Sequence, residues 1–320
     1  MLHIHPIKQG LEIYKALASE ARLEIIDLLL KSGGMSMNEL AKELKITNGA
    51  ITHHMKMLEE CGLITIVAEA TGHGIQKKCC VCADKILIDI RAKEVLKDTY
   101  QTSIKVGHYS DYDVYPSCGI ATTTALLGEV DDVRYFAHPD RYAADVLWFT
   151  SGYVEYIVPH FIPTGQRITQ LTFSMELASE APGYNNAWPS DIHFSLNGKQ
   201  FAMWTSPGDF GGVKALYTPE WWYSNWGQYG LLKVLTINQE GSFIDGTKVS
   251  DVTIDTFALN YSSTLKLRLE VPKDAEHVGG LSIFGKGFGN YNQEINVKIN
   301  YEPIAEEMYA AGRTDDTAYL

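Results

Sequence analysis

Apolar residues recur at helical spacing through the first sixty positions, and alternate singly with polar ones after about residue 133, so the chain reads as a helical segment followed by a β-rich one. In the first segment Leu11, Tyr14, Leu17, Ala18, Leu23, Ile26 and Leu30 keep a helical period and predict one or two helices over residues 7–31, with Ser19 as an internal N-cap. Gly33-Gly34 ends this stretch. Ser36 followed by Glu39 has the spacing of a capping box and opens a short helix, Met37–Leu44. Lys45-Ile46-Thr47 is a turn. Thr47 or Asn48 caps a second helix, Gly49–Cys61, which turns Ile51, Met55 and Leu58 inward, and Gly62 follows its end.

Two short strands come next, Leu63–Glu69 and Ile75–Ala83, joined by the tip Thr71-Gly72-His73-Gly74. Helix, turn, helix and hairpin in that order predict a winged helix-turn-helix. Ile86–Ile90 is β-branched and fits a third strand or the start of a last helix.

Residues 99–132 are polar and rich in turn formers and read as a linker or strap. Beyond them lie nine candidate strands: Asp145–Phe149, Tyr153–Val158, Ile168–Ala178, Asp191–Asn197, Phe201–Thr205, Leu231–Asn238, Thr264–Val271, Leu281–Phe284 and Glu294–Tyr301. Strands in series without helices between them predict an all-β antiparallel sandwich, a jelly roll. The expected organisation is multidomain α+β: a DNA-binding winged helix over 1–98, the strap over 99–132, the sandwich over 133–303 and a polar tail over 304–320.

Composition sharpens that division. The chain has 320 residues, room for about two domains at ~150 each. Its net charge is −12, yet residues 1–98 carry 13 Lys/Arg against 13 Asp/Glu, leaving 14 against 26 for residues 99–320. All the excess acidity therefore belongs to the second part. The neutral first part implies that any hold on DNA comes from local placement of Lys and His rather than from a broadly basic surface. Residues 1–98 contain a single Phe/Trp/Tyr, Tyr14, whereas all six Trp and all eleven Phe follow residue 135, which implies two separately built cores. No run approaches the ~18 apolar residues of a membrane span, and Met1–Lys8 has no apolar signal region, so a cytoplasmic protein is expected.

Leu17-Ala-Ser-Glu-Ala-Arg-Leu-Glu-Ile-Ile, Asn38-Glu-Leu-Ala and Ile51-Thr-His-His-Met-Lys-Met-Leu-Glu-Glu-Cys-Gly-Leu-Ile together resemble the ArsR-type winged-helix regulators over residues 10–82. The resemblance implies a transcriptional regulator, a repressor, that binds double-stranded operator DNA. A homodimer is expected, because helix-turn-helix readers pair across two half-sites. With Ile51, Met55 and Leu58 inward, the outward set is Thr47, Asn48, Gly49, Thr52, His53 and Lys56, with Gly49 allowing close approach. Thr47 and Thr52 suit phosphate oxygens and Lys56 neutralises one, while Lys77 and Lys78 beside the wing suit the flanking backbone.

ArsR-type metal sensors carry a Cys-x-Cys pair in the first helix of the turn motif. Here that place reads Ser36-Met-Asn-Glu-Leu-Ala, which argues against metal sensing, and no cofactor is expected. Cys79, Cys80 and Cys82 remain as a metal or redox alternative. On a strand only Cys80 and Cys82 share a face, short of the four ligands of a zinc site, so packing on the wing strand is the simpler role.

In the second part, Trp204, Trp221, Trp222 and Trp226 fall within 23 residues, three of them in one loop. Indoles that stack on sugar C–H faces, together with Asp, Asn, Gln and His that fix hydroxyls, compose a carbohydrate site, and the region resembles a galactose-binding-like jelly roll of the carbohydrate-binding kind. The expected effector is a sugar. On Asp191–Asn197, alternation places Asp191, His193 and Ser195 opposite the core set Ile192, Phe194 and Leu196. The candidate ligand residues are Asp191, His193, Trp204, Asp209, Trp222, Gln228, Tyr229 and Glu155. Trp148, Trp188, Trp221, Trp222 and Trp226 also fit as plugs at the ends of the sandwich. Two other readings stand beside the sensor: the sandwich as an oligomerisation or protein-docking module, and a carbohydrate-active enzyme fused to a regulator. For the second of these the sequence offers no carboxylate pair or nucleophile motif.

Overall fold

The computed structural model describes residues 2–4, 7–71, 74–83, 86–88 and 98–304, and the chain forms two compact units, Met1–Val95 and Leu96–Leu320. The tip residues 72 and 73 and the tail from 305 lie outside the described residues.

The first unit runs β1 (Leu2–Ile4), α1 (Leu11–Leu17), α2 (Glu20–Ser32), α3 (Met37–Leu44), α4 (Asn48–Glu60), β2 (Ile64–Thr71), β3 (Gly74–Val81) and β4 (Ile86–Ile88). The capping box forms: the Glu39 amide donates to Ser36 Oγ at 3.3 Å, and the Ser36 amide to Glu39 Oε2 at 2.7 Å. Lys45, at φ 55°, closes α3, and Thr47 Oγ1 caps α4 by accepting from the Ala50 amide at 3.2 Å. β2 and β3 pair antiparallel as the wing, and backbone bonds in both directions between Met35 and Cys79 tie it to the α2–α3 loop. The segment that the sequence left open between strand and helix supplies β4, paired in parallel with β1.

The buried face of the first two helices differs from the periodic reading. Leu11, Leu23 and Leu30 are exposed, and Ala16, Ile25 and Leu29 are buried with Leu40, Ile51, Met55 and Leu58. Arg22 explains the rotation of α2. It is buried, and its guanidinium donates to the carbonyls of Ala16 (2.6 Å) and Lys15 (2.7 Å). These are acceptors that the end of α1 leaves without helical partners. Arg22→Ala is expected to destabilise this unit by about 2–3 kcal/mol, through loss of two charge-assisted bonds to buried carbonyls. Helical circular dichroism during thermal unfolding checks it.

The second unit is an antiparallel sandwich of twelve strands: β5 (Thr99–Ile104), β6 (Asp111–Ala121), β7 (Val146–Val158), β8 (Gln166–Ala178), β9 (Ser190–Leu196), β10 (Lys199–Ser206), β11 (Leu231–Asn238), β12 (Gly241–Ile244), β13 (Thr247–Ser250), β14 (Leu265–Val271), β15 (Leu281–Phe284) and β16 (Ile295–Pro303). Pairing gives one layer in the order β6-β7-β14-β9-β10 and another in the order β5-β16-β8-β11-β12-β13, with β15 bridging the start of β7 and the end of β8. Residues from both layers share one core, including Phe149, Tyr156, Phe173, Phe194, Phe201 and Leu269.

Residues 99–132, read from the sequence as a strap, contribute β5 and β6. β5 pairs with β16 from Thr99↔Asn300 to Ile104↔Ile295, and β6 pairs along the length of β7. The two stretches expected as separate strands around residues 149–153 are one continuous strand, β7. It passes Gly152 at φ 101°, where a Cβ would lie 1.9 Å from the Asp113 carbonyl oxygen. Asn197-Gly198 makes the expected hairpin turn, both residues at positive φ.

Candidate functional site

On α4, Ile51, Met55 and Leu58 are fully buried while Thr47, Asn48, Gly49, Thr52, His53 and Lys56 are exposed, so the helix offers one continuous polar face. Thr52 Oγ1 donates to the Asn48 carbonyl at 2.8 Å, and Lys56 pairs loosely with Glu60 at 3.7 Å. Both arrangements leave an acceptor oxygen and an ammonium at the surface. A Cβ on Gly49 would meet only Thr47 Oγ1, at 4.0 Å, so the space beyond this residue is open. On β3 Lys77 is exposed and Lys78 half-buried. His54, the other histidine of α4, is half-buried, with Nδ1 buried and without a hydrogen-bond partner; burial pushes its pKa down.

The cysteines beside this face pack. Cys79 lies in the core of the unit and burial pushes its thiol up to about 11, while Cys82 Sγ donates to the Gly62 carbonyl at 3.3 Å. Among the described residues no three His, Cys, Asp or Glu side chains are grouped to hold a metal ion.

The sandwich carries a cavity of about 260 Å³, lined by Trp148, Trp222 and Trp226 and, among polar groups, by Ser117, Asp131, Glu180 and Ser282. The strands build it where β6, β7 and β15 meet: Gly119 pairs with Trp148 and Trp148 with Ser282. The loop 221–228 supplies the other two indoles. The three rings touch edge to face, with centroids 5.0–5.9 Å apart. Phe288 packs edge-on against Trp222 at 5.1 Å. Trp222 Nε1 donates to the Gly227 carbonyl, and Gln228 Nε2 donates to the carbonyls of Tyr223 and Trp226, so the loop is closed on itself by partly buried side-chain bonds.

Three acids stand at the cavity: Glu180 and Asp131 in its lining and Asp209 behind it, with Asp131 Oδ1 accepting from the Cys118 amide at 2.9 Å. The Glu180 carboxyl accepts from Ser282 Oγ at 3.2 Å and Ser117 Oγ at 3.5 Å. Desolvation, with Asp209 and Asp131 nearby, pushes its pKa well above the ordinary glutamate value. Asp209 sits behind the wall, 1 % exposed; Oδ2 accepts from the Ala181 amide, Oδ1 has no hydrogen-bond partner, and burial pushes the group up to about 7. A Cβ on Gly227, a lining residue, would fall 2.1 Å from Asp209 Oδ1, so this wall needs glycine.

Of the eight ligand candidates named from the sequence, Trp222 lines the cavity, and Asp209 and Gln228 shape its walls. The other five lie outside its lining, engaged in structure. Asp191 is buried, accepting from Thr205 Oγ1 at 2.7 Å, the His277 amide at 3.0 Å and His277 Nδ1 at 3.2 Å. His193 is half-buried on β9, opposite Met203 and Glu270. Lys233 Nζ lies 4.3 Å over the Trp204 ring. Tyr229 stacks on Phe210 at 5.5 Å. Glu155 is held by Arg268 at 3.0 Å and Lys266 at 3.6 Å. Sequence reasoning set Trp148 and Trp226 aside as plugs and did not name Glu180, Asp131, Ser117 or Ser282. The one local signal for Glu180 is an acid placed two residues after a long alternating strand and directly before Ala-Pro-Gly.

Four helices among the described residues of the first unit, with an exposed polar reading helix and a two-stranded wing, define the winged helix-turn-helix class of DNA-binding proteins. Residues 19–65 match the bacterial regulatory protein, arsR family. A relative from Methanocaldococcus jannaschii, an uncharacterized HTH-type transcriptional regulator, is 29% identical over 90 residues, 28% of this chain and 90% of its own length. The N-terminal unit is therefore an ArsR-type helix-turn-helix, and the chain is a DNA-binding transcriptional regulator. Among solved structures, the CBM36-1 domain of a multidomain xylanase from the hindgut metagenome of Trinervitermes trinervoides aligns at 9% identity, over 64% of this chain and 100% of that domain, with a TM-score of 0.29. A carbohydrate-binding module CBM36 in complex with calcium and xylotriose aligns at 8% identity, over 63% and 99%, with a TM-score of 0.26. Neither likeness is close enough to assign a ligand. Among the described residues no helix is long and apolar enough to cross a membrane.

Proposed function

We propose that this chain is a cytoplasmic, homodimeric repressor that reads operator DNA with α4 and is controlled by a small carbohydrate held in the sandwich. The observation that carries the DNA half is the clean division of α4. Its apolar row is fully buried and Thr47, Asn48, Gly49, Thr52, His53 and Lys56 are left to the groove, with Lys77 and Lys78 for flanking phosphates. The exposed Leu11, Leu23 and Leu30 supply apolar surface for pairing two copies. The sensing half rests on the tryptophan-walled cavity. Its volume lies just below the ~300–1,000 Å³ of pockets for drug-sized ligands and suits a single sugar ring. No enzymatic step is part of this function.

Coupling between the two sites is reciprocal: a sugar that weakens DNA binding is itself bound more weakly by the DNA-bound protein, by the same factor. The test is fluorescence anisotropy with labelled DNA from upstream of the chain's own coding region, with and without a panel of monosaccharides. The triple variant Thr52→Ala, His53→Ala, Lys56→Ala is expected to lose at least about tenfold in affinity. Lys56→Ala alone is expected to lower the slope of log K against log salt by about one. Unchanged DNA affinity in the triple variant sinks the assignment of α4, and a panel without effect sinks the sugar control.

A further inference from the structure

Resting on the reading of the tryptophan-walled cavity as the effector site, we propose that its occupant is a sugar-sized polyol carrying a protonated amine, an amino sugar rather than a neutral one. The lining is unbalanced in charge. It contains the carboxyls of Glu180 and Asp131 and no Lys, Arg or His. The hydrogen bonds that reach Glu180 come from two neutral hydroxyls, Ser117 and Ser282, which are themselves part of the wall. Behind Gly227 and Ala181 the buried Asp209 adds a third acid, one oxygen of which has no hydrogen-bond partner. Elsewhere in the sandwich the buried Glu155 is paired with Arg268 and Lys266 and the half-buried Asp245 with Lys233, while the buried Glu176 is satisfied by three backbone amides.

A desolvated carboxyl without a cation is costly, and it reduces that cost by holding a proton or by receiving a positively charged ligand. The three indoles point to the same ligand class. An ammonium is attracted by aromatic faces when desolvated, and the C–H face of a sugar ring stacks on them. The hydroxyls of Ser117 and Ser282 suit ring hydroxyls next to the amine. Burial pushes the Glu180 pKa upward and an ammonium beside the carboxyl pulls it back down, so binding of the amine favours release of a proton to solvent.

The test follows tryptophan emission of the full-length protein with glucosamine, galactosamine and mannosamine, set against glucose, galactose, mannose and the three N-acetyl derivatives, with calcium chloride alone as a further arm. The expected result is at least one amino sugar bound about tenfold or more tightly than both its neutral and its N-acetylated counterpart, with proton release on binding seen by calorimetry in two buffers of different ionisation enthalpy. Glu180→Gln, checked for an unchanged thermal transition, is expected to bring the preference to within about threefold. The N-acetyl comparison carries the test even if that variant does not fold. Equal or tighter binding of the neutral sugars, or calcium binding that competes with the amine, overturns the amine while leaving the sugar reading intact. No response to any of the nine sugars at millimolar concentration overturns both.

Discussion

Glu176→Ala is expected to destabilise the sandwich by about 3–5 kcal/mol. Glu176 lies on β8 and is fully buried. Its carboxyl accepts from the backbone amides of Gly230 (2.8 Å), Asn290 (2.9 Å) and Tyr291 (3.0 Å). Alanine would leave three buried N–H groups without acceptors, each costing about 1–3 kcal/mol, together with the space the carboxyl occupied. The lost bonds anchor the loop 285–291, which holds Phe288 against Trp222, so the damage spreads into the cavity wall. Glu176→Gln keeps one acceptor oxygen and is expected to cost about half as much. Denaturant unfolding followed by tryptophan emission measures both. A loss under about 1 kcal/mol for the alanine variant would show that solvent or a rearranged loop takes over the amides.

Asp209 governs the second large effect, a dependence of stability on pH that runs opposite to that of a salt-bridged acid. In the unfolded chain this aspartate ionises near 3.8, whereas in the fold it keeps its proton up to about 7. Between those values the native state binds the extra proton, so stability falls as pH rises from about 4 to about 7 and levels off above. The difference between 3.8 and about 7 amounts to roughly 4 kcal/mol between the two plateaus. Glu180, pushed in the same direction, adds to the slope. Asp209→Asn keeps an acceptor for the Ala181 amide and removes the ionisation, so its advantage over the native chain grows from acid to neutral pH. Urea midpoints measured across that range test this. Parallel curves for the two proteins would show that Asp209 ionises as it does in the unfolded chain.

The winged helix was legible because its determinants are local. The capping box Ser36/Glu39, the Thr47 cap and the row Ile51, Met55, Leu58 each act within one or two turns of helix. Arg22 marks where that reasoning stops. Periodicity counts an arginine as surface and a leucine as core, but carbonyls at the end of a preceding helix drew Arg22 inward and left Leu23 out. In the sandwich, alternation placed Ile192, Phe194 and Leu196 in the core as found. It could not place Asp191, because its partner Thr205 faces it across β10, and that register is set by the hairpin and the neighbouring β14. β5 and β6 escaped notice because their N-terminal halves alternate exposed and half-buried positions and carry few large apolar residues. The cavity lay further out of reach. Ser117, Asp131, Trp148, Glu180, Trp222 and Ser282 come from six separated stretches, joined only by the pairing of β6, β7 and β15.

β5 and β16 have a bearing on how such a module can be moved between genes. Thr99, near the start of the sandwich, lies opposite Asn300, near its end, in one antiparallel pair, with Cα atoms about 5 Å apart. A polypeptide that enters and leaves at adjacent points needs almost no room in its host, so the sandwich is suited to splicing into a surface loop of an unrelated protein with both seams side by side. The same adjacency lets the order of the strands be rotated. Joining the two ends with a short linker and opening the exposed Asn197-Gly198 turn would preserve every strand pairing outside that hairpin turn and give a chain whose ends lie at a different edge.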